Sequence, residues 1–284
     1  MLFLQIDGQT KIVGLIGDPI NHSLSPAMHN AAYQVLALNY LYLPFRVPAA
    51  NLAAVISAVR CLDFRGLNVT VPHKETVIPQ IDFLDRSALR CGAVNTIVNH
   101  SGTLTGYNTD GEGFIDSLQE YGFEPNGKKA VVLGAGGSAR AIAAALQEQG
   151  ISKIVLINRT MQKAQQMAEE LGAQSFRIFP LSSVPADAMA GAQLVINTLA
   201  VPFRRDDGEW LLDLSAAAGA LFYDLRYGKM LSDFLVYANE LKSPGLDGLG
   251  MLLYQGARAF RLFTGEEPPV EIMRKACLSK EISA

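Results

Sequence analysis

"KAVVLGAGGSARAIAAAL", residues 129–146 of a 284-residue chain, decides the fold. A hydrophobic strand, Ala130 to Leu133, runs directly into Gly134, Gly136 and Gly137, and an alanine-rich helix follows. Glycines at such a junction permit a tight turn and let backbone N–H groups approach a pyrophosphate at the helix N-terminus. The pattern reads G-x-G-G-x-A, with Ala139 where the helix must pack closely on the strand and Ala135 and Ser138 as the remaining loop positions. Glycines alone are a weak signal. The strand before them, the helix after and a further strand at the expected distance make it a dinucleotide-binding unit.

That further strand, "KIVLINR" (153–159), ends where such a fold reads the adenosine ribose. A site for NAD places Asp or Glu there, to accept from the ribose hydroxyls. Here the residues are Asn158, Arg159 and Thr160, with Lys163 one turn later. Cations without a carboxylate suit a 2′-phosphate, so NADP is the expected cofactor.

The rest of the chain is consistent with a large globular protein. Its length favours two domains or one large one, and 49% hydrophobic against 18% charged residues argues against disorder. A net charge of −3 gives no reason to expect nucleic acid or an anionic membrane as partner. No apolar run reaches the roughly 20 residues that span a bilayer. The start, "MLFLQIDGQTK", has no cationic head and too short an apolar part to read as a signal peptide. Cys61, Cys91 and Cys277 lie far apart with no CxxC pair, which suggests a reduced, cytoplasmic setting and thiols acting as small hydrophobes. His22, His29, His73 and His100 show no metal spacing, so no metal is expected.

Strand and helix patterns alternate throughout, which predicts parallel sheets covered by helices. "KIVGLIG" (11–17) reads as a buried strand; Ser25 then reads as a helix N-cap followed by Pro26 in the first turn. "YLYLPFRV" (40–47) is a second strand, and Leu52, Val55, Ile56 and Val59 stripe a second helix. In "GLNVTVPHK" (66–74) an apolar strand delivers His73 and Lys74 at its tip, and residues 93–111 read as short strands around a turn at His100 to Gly102. A helix runs from Asp110 toward Gly122, and "EPNGKK" (124–129) is a turn-rich break before the nucleotide unit. Further helices begin near Leu249 and Pro269. Polar residues in the first half gather at strand ends, where ligands of open α/β sheets collect. Only Lys74 is cationic among them.

Taken in order, G-D-P-I-x-H-S-x-S-P-x-x-H-N (17–30), N-V-T-V-P-H-K (68–74), A-V-N-T (93–96), N-T-D-G (108–111), G-A-G-G-S-A-R (134–140), N-R-T (158–160) and D-G-L-G-M-L-x-x-Q-G-A (247–257) resemble the shikimate dehydrogenase family across nearly the whole chain. The resemblance implies an α/β protein of two domains: a substrate and catalytic domain of residues 1–112 plus 249–284, and a Rossmann-type, doubly wound NADP-binding domain of residues 113–248. It implies reversible NADPH-dependent reduction of 3-dehydroshikimate to shikimate, a step toward the aromatic amino acids, by a cytoplasmic monomer or homodimer. Lys74 and Asp110 would be the catalytic pair. Ser23 and Ser25 would contact the substrate carboxylate, and Asn68, Thr70, Asn95, Asp110 and Gln255 its hydroxyls, with Tyr227 also in the active site. Thr198, Leu225 and Gly248 would join the glycine loop in holding the cofactor.

Taken alone, several of these residues have ordinary explanations. Asp110 could be an N-cap, Asn68 and Thr70 buried hydrogen-bonders on one strand face, and Gln255 a solvated helix residue. The chain also departs from the family's pattern, with "LAVPFRRDDGEW" after Thr198, Arg226 beside Tyr227 and "GKMLSDF" beyond it. These departures bear on nicotinamide positioning more than on substrate identity. Competing readings are an enzyme using quinate or an aminated analogue, a folate-type methylene dehydrogenase, and a non-catalytic NADP-binding sensor. Retention of both Lys74 and Asp110 speaks against the sensor.

Overall fold

The computed structural model describes residues 6–283; residues 1–5, the start of the stretch on which a leader is argued against, lie outside it. The chain divides into two compact units, residues 1–113 with 252–284, and residues 114–251.

The first unit is built on a six-stranded sheet, β1 (Lys11–Gly17), β2 (Tyr40–Arg46), β3 (Gly66–Val69), β4 (Phe83–Leu84), β5 (Thr96–His100) and β6 (Thr103–Tyr107), in the order β2-β1-β3-β5-β6-β4. The sheet is mixed rather than parallel as expected, because β5 runs antiparallel to both β3 and β6. A tight hairpin connection cannot cross over, so β5 and β6 must pair antiparallel. Helices α1 (Ser25–Val35), α2 (Leu52–Cys61), α3 (His73–Thr76) and α4 (Arg86–Cys91) follow successive strands.

Strand alternation sorts the two faces of this sheet. Leu67, Val69 and Ile97 point to one face and pack with Ile16 of β1 and with Ile56 and Val59 of α2. The opposite face is aromatic. Tyr42 lies stacked on His29 of α1, ring centroids 4.3 Å apart, and Tyr33 stacks on Phe260.

The second unit holds a parallel sheet of β7 (Lys129–Leu133), β8 (Lys153–Asn158), β9 (Phe176–Pro180), β10 (Leu194–Asn197), β11 (Leu221–Asp224) and β12 (Gly245–Leu246), in the order β12-β11-β10-β7-β8-β9. Five consecutive strand pairs are all parallel. The order reverses at β7, the strand that precedes the glycine turn, and this is the switch point where doubly wound sheets bind nucleotides. Helices α5 (Asp110–Tyr121), α6 (Gly137–Glu148), α7 (Met161–Leu171), α8 (Ala186–Met189), α9 (Asp233–Glu240), α10 (Leu249–Thr264) and α11 (Val270–Ser283) complete the chain. The chain leaves the first unit within α5 and returns within α10. There α11 packs along α1. Among the described residues, no helix is long and apolar enough to cross a membrane.

His29 is fully buried and neither ring nitrogen has a hydrogen-bond partner. Burial holds its pKa down to about 3, from an ordinary value of 6.5. The unfolded chain therefore binds a proton below pH 6.5 that the folded chain refuses, so the stability His29 contributes is present above pH 6.5 and is lost as pH falls toward 3. Between about pH 7.5 and 5.5 the loss should be about 1.4 kcal/mol. Urea unfolding of wild type and His29→Phe at both pH values checks this: the wild type should lose that much more than the variant, and equal losses would contradict it.

Candidate functional site

In the first unit the chain after β3 does not carry Lys74 on a strand tip, as the sequence suggests. The strand stops at Val69, and Lys74 lies on the one-turn helix α3. Pro72, which donates no backbone hydrogen bond, ends the extended run and precedes that helix directly. The His73 N–H donates to Thr70 O at 2.9 Å, closing the turn. His73 turns inward, with Nε2 2.7 Å from Val47 O, which anchors the turn to the strand layer. Lys74 leaves on the other side and reaches Asp110, its Nζ 2.5 Å from Oδ2.

Both side chains are largely buried, at 13% and 5% exposure. An ion pair so placed depends on each partner neutralising the other, and removing one leaves an uncompensated charge. The second carboxylate oxygen is also occupied: Asn95 Nδ2 donates to Asp110 Oδ1 at 2.7 Å. Asn95 stands immediately before β5, and the Thr109 N–H donates to its Oδ1 at 2.9 Å, which fixes which end of the amide is which. Its nitrogen faces two further acceptors, Thr109 Oγ1 at 2.9 Å and Gln255 Oε1 at 3.4 Å. Gln255 is thus drawn into the polar cluster rather than solvated.

Asp110 is not an N-cap in the ordinary sense. Its own N–H is capped by Asn108 Oδ1 at 3.0 Å, and its carboxylate is bound by Lys74 and Asn95. Gly113, one turn along α5, allows this placement. A side chain there would sit 2.4 Å from the backbone nitrogen of Gln255, so only glycine lets the start of α5 lie against α10.

Asn68, on the aromatic face of β3, joins the same cluster through Nδ2, 3.0 Å from Thr96 Oγ1 and 3.2 Å from Asn95 O. Thr70 lies beyond the strand, beside Gly17 at the end of β1. Ser23 and Ser25 open α1, and the reading of Ser25 as its N-cap is corrected. The cap position is Leu24 and has no side-chain cap, while Ser23 Oγ accepts from the Ser25 N–H at 3.2 Å. Ser25 is itself buried. The sequence reading did not single out Tyr42, and Thr96 entered it only as the last letter of A-V-N-T. The signal for both was strand alternation, which puts polar atoms on the face that Asn68 shares.

In the second unit, Gly134 has a φ of +111°, and a Cβ there would lie 2.3 Å from Thr198 Oγ1. Thr198 in turn donates from Oγ1 to Leu133 O at 2.7 Å, holding the end of β10 against the turn. Gly136 caps α6 in extended conformation, with open space where a side chain would stand. Ala135, Gly137 and Ser138 are half-buried around it, and Ala139 is buried beneath. Asn158 Nδ2 donates to Thr160 O at 2.8 Å, shaping the turn into α7, and Arg159, Thr160 and Lys163 are exposed beside it. No acidic residue stands at this strand end. The open cradle, the helix N-terminus and the cationic strand end suit a phosphorylated dinucleotide. Leu225 lies just past β11, and the Gly248 N–H donates to Arg226 O at 3.0 Å.

Tyr227 belongs to this unit, on the segment after β11. That segment is held from Asp224, fully buried, which accepts from the Arg226 guanidinium at 3.0 Å and from Ser232 Oγ and Asn197 Nδ2. Ser232 also caps α9. The unusual 199–210 stretch folds on itself: Leu211 N–H donates to Phe203 O at 2.8 Å, and the buried Phe203 ring meets Phe234 edge-on, 5.1 Å between centroids. Among the described residues, no group of three or more His, Cys, Asp or Glu could hold a metal ion.

A nucleotide-binding Rossmann unit and an α/β unit carrying a buried lysine–carboxylate pair define a two-domain dehydrogenase. Three family models match in order: a shikimate dehydrogenase substrate-binding domain over residues 15–97, shikimate/quinate 5-dehydrogenase over 118–214, and a shikimate 5′-dehydrogenase C-terminal domain over 248–278. The NADP-dependent shikimate dehydrogenase of Moorella thermoacetica is 45% identical over 95% of this chain and 93% of its own length. A shikimate dehydrogenase solved with NADP+ superimposes with a TM-score of 0.88 at 36% identity, over 98% of each chain. The enzyme of Thermus thermophilus, solved with NADP(H) and shikimate, gives 0.83 at 36% identity, over 95% of this chain and 99% of its own. The chain belongs to the shikimate dehydrogenase family.

Replacing Gly113 tests how the site is braced. Gly113→Ala must push α5 away from the Gln255 backbone, and such overpacking costs about 1–3 kcal/mol. Denaturant unfolding should show that loss; unchanged stability would mean the two helices do not need the close approach.

Proposed function

We propose that this protein is an NADP-dependent shikimate dehydrogenase, which reversibly reduces 3-dehydroshikimate to shikimate on the route to aromatic amino acids. The observation that carries the reading is the Lys74–Asp110 contact of 2.5 Å, clamped by Asn95, in a chain 45% identical to such an enzyme. Residues 1–112 and 249–284 serve as the substrate domain and residues 113–248 as the cofactor domain. Cys61, Cys91 and Cys277, none of them in a disulfide, accord with a reducing, cytoplasmic setting.

When bound, the cofactor supplies hydride. Gly134 to Ala139 would cradle its pyrophosphate, Arg159 and Lys163 would face its 2′-phosphate, and Thr198, Leu225 and Gly248 would line the remainder. The protein's own residues manage charge and protons. As hydride reaches the carbonyl carbon, negative charge gathers on oxygen, and the Lys74 ammonium stabilises it and delivers the proton. In the reverse direction Lys74 accepts the hydroxyl proton as hydride departs. Asp110 holds the ammonium in place through one oxygen and accepts from Asn95 through the other. Ser23 and Ser25 suit a carboxylate as hydroxyl donors, whereas Asn68, Thr70, Asn95, Asp110 and Gln255 suit the ring hydroxyls.

Two variants test this reading. Lys74→Ala should bind NADP+ as tightly as wild type while kcat for shikimate oxidation falls about 10²–10⁴-fold; near-normal kcat would remove Lys74 from the mechanism. Arg159→Ala should raise the KM for NADP+ by roughly tenfold or more and leave that for NAD+ unchanged. Equal KM values for both cofactors in the wild type would overturn the NADP assignment.

A further inference from the structure

The buried amides of Asn68 and Asn95 are joined by a series of side-chain hydroxyls. Register places Tyr42 opposite Val13 and Asn68 opposite Leu15 on the intervening strand β1, while Asn68 pairs directly with Thr96 of β5. Val13 and Leu15 point to the same face, so Tyr42, Asn68 and Thr96 share one face of the sheet. The hydrogen bonds between them are unambiguous in direction. Asn95 O is a backbone acceptor, so the Asn68 atom 3.2 Å from it must be the nitrogen. Asn68 Oδ1 then faces Tyr42, whose phenol donates to it at 2.8 Å. Asn68 Nδ2 donates to Thr96 Oγ1 at 3.0 Å, and the Thr96 hydroxyl donates to Asn95 Oδ1 at 2.9 Å. Asn95 donates to Asp110, the partner of Lys74. Every bond from Tyr42 onward runs toward the carboxylate.

Tyr42 is suited to its end of this series. Burial pushes its phenol well above the ordinary range, so it remains a donor. His29, stacked on it at 4.3 Å, is neutral and adds no charge. Thr96 is fully buried, and its hydroxyl is both acceptor and donor between the two amides.

We infer that Tyr42 and Thr96 are positioning residues for the substrate: backbone groups set which end of each amide is which, and the two hydroxyls brace the Asn68 and Asn95 side chains in the places from which they meet it. This rests on the proposed substrate reading. Without that brace an amide can shift away from the ring hydroxyl it meets, so affinity for a polyhydroxylated ring depends on it.

Steady-state kinetics of Tyr42→Phe, Thr96→Val and Thr96→Ser with shikimate and NADP+ tests it. Tyr42→Phe and Thr96→Val keep ring and shape but lose the hydroxyl; each should raise the KM for shikimate about five- to tenfold, the worth of one such bond, and leave the KM for NADP+ within about twofold. Thr96→Ser should restore the wild-type value. A purely structural role would instead lower melting temperature and active fraction with KM unmoved. Unchanged KM for shikimate in either hydroxyl-less variant, equal rises for both substrates, or Thr96→Ser as impaired as Thr96→Val would overturn the inference. A wild type inactive on shikimate would sink the proposed function and this inference with it; an active wild type with unaltered variants would sink the inference alone.

Discussion

The arrangement depends on one buried pair of opposite charges. Lys74 and Asp110 are 36 residues apart, lie on different helices and touch at 2.5 Å with little access to water. Neither could occupy its place without the other, because a lone charge so enclosed costs several kcal/mol. The surrounding architecture can be understood as the means of bringing them together. The turn after β3 aims Lys74 by burying His73 on Val47, the residues before β5 offer the Asn95 amide, and Gly113 lets the first turn of α5 settle against α10. The hydrogen bond from Asn95 to the second carboxylate oxygen then leaves Asp110 little freedom to move.

A pair built this way is suited to reversible proton transfer at a hydroxyl. The ammonium is a compact cation with three donors, so it can keep the carboxylate while also meeting a substrate oxygen. The polar residues around it are amides and hydroxyls rather than further charges, which suit neutral hydroxyl groups as partners. The other unit carries different features that suit NADP, namely the absence of a carboxylate and the exposed Arg159 at the end of β8.

Much of this was legible in the sequence, for reasons that differ by element. The Rossmann turn could be read because Gly134 must adopt a positive φ against Thr198, a demand that few residues other than glycine meet. The helix opening at Asp110 and the hairpin around His100 to Gly102 were visible in periodicity and turn residues. The one-turn helix bearing Lys74 was not, because so short a segment cannot show a period. Ser25 is not the cap that local preference suggests, because the helix already includes it and the cap position falls on Leu24. Tyr42 itself reads as an ordinary strand aromatic until register places it beside Asn68. The 199–210 stretch and the segment after Tyr227, which depart from the family's pattern, prove internally well tied, through Phe203 and Asp224 respectively.

The central claim is that Lys74 and Asp110 act as one unit on the substrate, and a double-mutant cycle measures that directly. Wild type, Lys74→Met, Asp110→Asn and the double variant are compared by kcat/KM for shikimate at saturating NADP+. The account expects the double variant to be about as slow as the slower single variant, because the first substitution already disables the pair. Losses that multiply independently would show two groups working separately and would contradict it.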